Sequence, residues 1–454
     1  MSAYRFSIAG FVVFTVSAFG QTQPLASWVQ LGPGGQIIAR VVLDGTQACP
    51  QVTIPGAPLA MRTRGAWSTT YPVTVCEAVI PAAATSATVN GISLPLPNPK
   101  SAPAVIGDTG CRGNTLGPGK TVQPEEDDDD LTPEPAAPPT NCATSWPLGQ
   151  LATTLAGRRQ PPGLVIHVGD YIYIHEKSWE SWRTQFFAPV KPLLAKSAWL
   201  FVRGNHETCL RHGPGYFRFL DPRPYDPANC SDATDPYLVP FGKTPYVVLD
   251  SSGATCDFAG ETCSGDTKIK TRQEQVTTWT ELIKAADKAV PQGSAGVLLT
   301  HRPVWGAKAE KLKTAASTCG PGKGRGMLAL NSVLEDAWNK ASTKRLSIIV
   351  SGHTHTWEFL VEKDQRPQLI AGNSGVTRTH PGPPSAGKCN IATTKDGAPY
   401  LIAETLNGLD KWGFTILDTN QKLTAFDPKG HQLLSCTIVD GKKADCTPPA
   451  SHTH

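Results

Sequence analysis

Several patterns are missing from this 454-residue sequence, and each absence removes a class of function. None of the twelve cysteines forms a CxxC pair, which disfavours zinc ribbons and thioredoxin-like redox chemistry. There is no basic stripe: a formal charge of +4 is spread over the chain, so nucleic acid is not expected as an obligatory partner. Beyond residue 20 no apolar run reaches the about 20 residues that a membrane span needs. No internal repeat is present. The six acids of "EEDDDD" lack the interleaved spacing and glycine turn of a calcium loop. With the prolines that follow, they read as a solvated surface insertion over about 117–141.

What is present begins with an export signal. The first twenty residues, "MSAYRFSIAGFVVFTVSAFG", carry one arginine, an apolar stretch, and the small residues Ala18 and Gly20 before a cleavage point. A transmembrane anchor is the alternative, and the segment is short for one. Secretion or a periplasmic location is therefore expected. An even cysteine count in an exported chain favours structural disulfides. Short sequence gaps suggest Cys49 with Cys76, Cys111 with Cys142, Cys209 with Cys230, Cys256 with Cys263, and Cys436 with Cys446.

The length fits two or three domains. Over 25–98, β-branched runs such as "QIIARVVLD" and "YPVTVCEAVI" are separated by Gly and Pro turns without helical period, which predicts a small all-β domain. The proline-rich "PLPNPKSAP" links it to the next region. From 99 to 436 apolar runs alternate with amphipathic stretches, the mark of an α/β layer architecture. One helix is predicted in "TRQEQVTTWTELIKAADKAV", with Val276, Trp279, Leu282 and Ile283 on one face and Pro291 after its end. A second is predicted through "MLALNSVLEDAWNKA", and "GFTILD" to "LLSCTIVD" reads as closing strands before a loose tail over 437–454.

Polar residues gather where apolar strands end. "GDTG" (107–110), "GDYIY" (169–173), "GNHE" (204–207), the strand ending at His301, and "GHTH" (352–355) each close such a run. Open α/β sheets bind ligands outside the carboxyl ends of their strands, so the five clusters are expected to share one crevice. Any one alone is weak, since Gly-Asp after a strand is more often a turn or cap. Together, Asp108, Asp170, Tyr173, Asn205, His301, His353 and His355 offer oxygen and imidazole donors without a thiolate, which suits iron, manganese or zinc. Asp170 could bridge two cations about 3.5 to 4 Å apart, a spacing that clamps a phosphate.

In order and type these motifs resemble the purple acid phosphatases, the tyrosine-bearing branch of the calcineurin-like metallophosphoesterases. The resemblance covers roughly 104–375. Most of the wider superfamily has histidine two residues after the first aspartate, where this chain has Gly110; the purple branch instead supplies a tyrosine three after the second, and Tyr173 stands there. The resemblance implies a metallophosphoesterase β-sandwich flanked by helices. It implies Fe(III) held by Asp108, Asp170, Tyr173 and His355, and a divalent ion (Fe, Zn or Mn) held by Asp170, Asn205, His301 and His353. A phenol of ordinary pKa about 10 loses its proton beside such a hard trivalent ion. Metal-bound hydroxide would attack a phosphate monoester even at acidic pH, with His206 assisting the leaving oxygen and Glu207 orienting His206. Asn205, His206 and Arg378 would contact substrate, a small phosphate ester.

Some features depart from that pattern. Leu298 stands where valine is usual, and a second catalytic histidine has no clear counterpart, His175, His212 and His380 being possible substitutes. Trp357 and "GNSGVTRTH" are expected to line the pocket. Two rivals are a phosphodiesterase or nucleotidase with two divalent ions, and a secreted binding protein with a vestigial metal site. The oligomeric state is not specified.

Overall fold

The apolar runs become short strands buried on both faces, and their alternate residues enter different cores. In Leu164–His167, Leu164 and Ile166 face one side and Val165 the other; in Ala198–Phe201, Ala198 and Leu200 part from Trp199 and Phe201 in the same way. A two-residue period divides a strand between two layers. The computed structural model describes residues 23–112, 142, 145–255, 269, 271–305, 308–309, 326–327, 331–362, 365–376, 394–395, 398–399, 403–409, 411–418, 422–439 and 443–448.

An eleven-stranded and a seven-stranded sheet face each other across a shared core, where Ile166 and Leu200 of the first meet Val248, Leu299 and Val350 of the second. Helices Leu148–Ala156, Ala188–Leu194 and Gly213–Phe219 cover the outer face of the first sheet. Arg272–Ala289 and Ser332–Ala341 cover the second. This is the helix-flanked sandwich that the family resemblance implies. In the first sheet Ala104–Ile106, Leu164–His167 and Ala198–Phe201 run parallel, as do Thr244–Val248, Gly296–Leu299 and Leu346–Ser351 in the second. Parallel neighbours joined by crossovers present their carboxyl ends together, and the polar clusters follow those ends.

The helix Arg272–Ala289 starts at a capping box, Thr271 accepting from the Glu274 amide while the Glu274 side chain answers the Thr271 amide. The second helix starts later than expected. Asn331 caps it by accepting from the Leu334 amide at 2.9 Å, so the helix runs from Ser332 and not from Met327. The expected loose tail is also corrected. Lys443–Thr447 pairs antiparallel with Gln432–Val439 at the sheet edge, and the Cys436–Cys446 disulfide ties the two strands together. Disulfides Cys49–Cys76, Cys111–Cys142 and Cys209–Cys230 pair as the sequence gaps suggest. Cys256 and Cys263, the first twenty residues and the acidic insertion lie outside the described residues. Among the described residues no helix is long and apolar enough to cross a membrane.

The N-terminal strands form a domain-like region with a four-stranded sheet of its own, and its longer strands extend the first large sheet. Ala26–Leu31 pairs in parallel with Ala198–Phe201, then Ile37–Asp44, Val73–Ile80 and Arg62–Gly65 follow outward. Within it the buried Glu77 carboxylate meets Arg40, Arg62 and Arg64 at 3.2, 2.8 and 3.1 Å. Burial works to raise the Glu77 pKa, but the three guanidiniums hold it below the ordinary carboxylate range. Such a group stabilises fully above its unfolded pKa of 4.5 and loses that contribution as pH falls through the folded value. Glu77→Gln, which strands buried cations, is expected to destabilise the protein by about 3–5 kcal/mol at neutral pH. Urea unfolding should show that gap narrowing once the pH drops below 4.5.

Candidate metal centre

The segments that carry the polar clusters leave their strands through constrained turns. Asp108, Asp170 and His353 have φ of 53°, 60° and 73°, the left-handed region that side chains rarely enter. Hydrogen bonds impose these turns. The Asp108 amide donates to the Gly169 carbonyl and the Thr109 amide to the Asp170 carbonyl, both at 2.9 Å. The His353 amide donates to both Asp108 carboxylate oxygens at 3.0 and 3.1 Å, joining the ends of the two sheets. At Gly169, with φ 102°, a Cβ would lie 2.4 Å from His301 Nδ1, so only glycine fits.

Two groups of side chains result, sharing Asp170. The Tyr173 hydroxyl lies 3.0 Å from Asp170 Oδ2, 3.3 Å from Asp108 Oδ1 and 3.2 Å from His355 Nε2. On the other side, Asn205 Oδ1 lies 2.8 Å from His301 Nε2 and 2.9 Å from His353 Nδ1, and His301 Nε2 is 3.2 Å from Asp170 Oδ2. Ligand atoms of Asp170, His301 and His353 all fall within 4.8 Å of one another. All seven expected ligands therefore meet. Tyr173 and His301 are fully buried, and His353 is half-buried.

The donor set fits cations. His301 Nδ1 donates to the Val168 carbonyl at 2.7 Å, which makes Nε2 the nitrogen that faces the site. Nε2 lies among the oxygens of Asn205 and Asp170, a cluster that calls for positive charge, supplied by a proton on the ring or by a cation in its place. The carboxylates show the same need. Burial and the charge of Asp170 push the Asp108 pKa well up. Burial opposes ionisation of Asp170 too, but His301 and His206 pull it well below the ordinary range.

Other expected residues fall in varied places. The His206 ring is buried and lies 4.2 Å, centroid to centroid, from that of Tyr173, while its amide donates to Asp170 Oδ1 at 3.0 Å. Glu207 has a further task. Its carboxylate accepts from the amides of Asp170, Tyr171, Ile172 and Gly204 at 2.9 to 3.3 Å and so clamps the Asp170 turn. Trp357 is buried in the core between the sheets, its indole donating to Thr415 Oγ1. His175 is exposed, and His212 donates to the Ile174 carbonyl. Leu298 packs in the helix-side core of the second sheet. Arg378 and His380 lie outside the described residues.

Three positioning residues were not foreseen. Gln185, in a π-helical turn at Arg183–Phe187, accepts from the amides of Cys111 and Tyr173 at 3.0 and 3.2 Å and donates to the Cys111 carbonyl at 2.9 Å. It thereby ties the Asp108 segment to the Tyr173 segment. His167, kept neutral by burial, accepts from the Gly169 amide and hydrogen-bonds Thr109 Oγ1 at 2.7 Å. Arg302 Nη1 lies 3.1 Å from His353 Nε2. Only Arg302 carried a signal, its place next to His301. Gly110 also gains a physical meaning: a Cβ there would sit 2.6 Å from Tyr173 Cδ2, so the phenol ring occupies the space a side chain would need.

Comparison with known proteins concerns the family and the fold. The sequence model described as calcineurin-like phosphoesterase matches residues 104–357. No curated protein matches the chain. A purple acid phosphatase from yellow lupin (Lupinus luteus) seeds has a similar structure, with TM-score 0.52 at 13% identity over 92% of this chain and 73% of that one. A structure of PhoD gives TM-score 0.41 at 12% identity over 94% and 90%. At such identity the lupin likeness concerns the fold alone, and the PhoD score carries no argument.

The Gln185 clamp makes a checkable claim. Gln185→Leu strands three buried backbone groups, at about 1–3 kcal/mol each, so thermal unfolding should shift well below wild type. Gln185→Glu restores the acceptor but not the donor, and is expected to fall between the two.

Proposed function

Because the chain belongs to the calcineurin-like phosphoesterase family, we propose that it is an exported acid phosphatase that hydrolyses small phosphate monoesters at a pair of cations. The observation that carries this reading is the Tyr173 phenol, aimed at Asp108, Asp170 and His355 within 3.0 to 3.3 Å. Tyr173, Asp108, Asp170 and His355 would hold Fe(III); Asp170, Asn205, His301 and His353 would hold a divalent Fe, Zn or Mn ion. The chemistry such cations supply is neutralisation of phosphoryl oxygens and acidification of water. The family and the fold support phosphoester hydrolysis in general, and the tyrosine argues for the acid monoesterase within it. Four disulfides among the described residues support export.

The chain's own residues have distinct tasks in this reading. Asp170 spans both halves of the site, and Asn205 fixes His301 and His353 about one oxygen. His206 Nδ1 lies 3.5 Å from Arg211 Nη1, a group that can only donate. From the imidazole, His206 would pass a proton to the leaving oxygen. Its packing on Tyr173 holds the imidazole in one orientation. Arg378 is proposed as a further phosphate contact.

Turnover of 4-nitrophenyl phosphate and of bis(4-nitrophenyl) phosphate tests the reading. The monoester is expected to be the better substrate, and Asp170→Asn should lower kcat by at least about 100-fold. Equal rates in the variant and wild type would sink the enzyme reading, and preference for the diester would overturn the monoester assignment. The holoprotein should absorb visible light through tyrosinate bound to Fe(III), and Tyr173→Phe should remove that band. A colourless active protein would point to two divalent ions.

A further inference from the structure

The helix Gly213–Phe219 follows the Asn205 loop directly, and its last turn is satisfied in an unusual way. Carbonyls at the end of a helix lack intrahelical partners and carry the negative end of its dipole. Here five consecutive ones, from Phe217 to Asp221, accept from side chains of the N-terminal region. Arg64 donates to Phe217, Arg218 and Asp221 at 2.6, 3.0 and 2.8 Å, Arg40 to Phe219 and Asp221 at 2.5 Å, and Gln30 to Leu220 at 2.7 Å. In return Arg218 donates to the carbonyls of Gly65, Ala66 and Val73.

The other flank of the loop is held from the same side. Ala198–Phe201, which leads into Arg203, Gly204 and Asn205, pairs with Ala26–Leu31. Both ends of the segment that carries Asn205 and His206 are thus fastened to the N-terminal region, through a strand pairing on one side and an arginine-capped helix on the other. Few surface connections bury guanidiniums so fully: Arg40 is wholly inaccessible and the Arg64 side chain is 1% exposed. Buried cations with fixed forks define one geometry, where a flexible linker would leave many.

We infer that the N-terminal β region is a positioning device for the Asn205 half of the site, acting through Arg40, Arg64 and Gln30, and not a separable binding module. This rests on the two-cation reading above. Asn205 itself reaches only the half with His301 and His353; its neighbours His206 and Glu207 touch Tyr173 and the Asp170 turn, but Tyr173, Asp108 and His355 keep a second set of anchors in Gln185 and in the strands that carry them. Loosening the arginine cap should therefore empty one half of the site before the other. A general loss of folding would affect both together.

The test is metal content per chain by mass spectrometry, read with kcat and KM for 4-nitrophenyl phosphate and with thermal unfolding. Wild type is expected to hold two ions. Arg64→Ala should retain about one ion together with the visible band, while kcat falls at least about 10-fold and KM moves less. Arg64→Lys keeps the charge but not the fork and should recover the second ion in part. If the Arg64 variants do not fold, Gln30→Leu removes the bond to the Leu220 carbonyl together with the acceptor of the Trp28 indole, and should weaken retention of the second ion against a chelator. A folded Arg64→Ala, or a folded Gln30→Leu in its place, with two firmly held ions and kcat within about twofold of wild type overturns the inference. A wild-type protein without metal or phosphatase activity defeats the two-cation reading instead.

Discussion

The hydrogen bond from His301 Nδ1 to the carbonyl of Val168 decides which nitrogen of that imidazole faces inward. The donor stands at the end of a strand in the seven-stranded sheet, and the acceptor follows a strand in the eleven-stranded sheet. Closing the sandwich and turning Nε2 of His301 towards the candidate site are therefore one event. The backbone that carries the imidazole is held as well, since the Ser251 hydroxyl accepts from the main-chain amides of His301 and Arg302. A ring pinned at this seam cannot turn over without parting the two sheets.

Around the seam, the backbone takes conformations that isolated residues avoid. Asp108, Asp170 and His353 share a left-handed turn, and each is held by partners that are themselves deeply buried. Glu207 gathers four amides about the Asp170 turn, and Gln185 joins the Cys111 and Tyr173 segments. Strain of this kind persists only where the surrounding packing over-determines it. The rigidity has a chemical use, because ligands placed before a cation arrives need no rearrangement to bind it.

Much of the site was legible because its residues obey a local rule. Each ligand sits where an apolar run stops, and a run that stops in Gly-Asp, Gly-Asn or Gly-His can be seen without knowing its neighbours in space. The layered fold was legible for the same reason, from runs such as "GLVIHVGD". What could not be read is what depends on distant partners. Arg40 and Arg64 look like solvated cations on β strands, and only the fold brings them to a helix end about 150 residues and more away along the chain. Gln185 sits in an amphipathic stretch like any helical glutamine. The late start of the helix at Ser332 depended on whether Asn331 would cap, and the closing strand at Lys443 on a pairing across a disulfide.

Gly110 and the ring of Tyr173 occupy adjoining space so tightly that one excludes growth of the other. In evolutionary terms, this chain cannot drift by single replacements towards a histidine at position 110. The newcomer would meet the aromatic ring before it could offer a nitrogen, and losing the ring first would leave that half of the pocket short of a donor. A side chain at position 110 and the phenol ring thus exclude one another by shape.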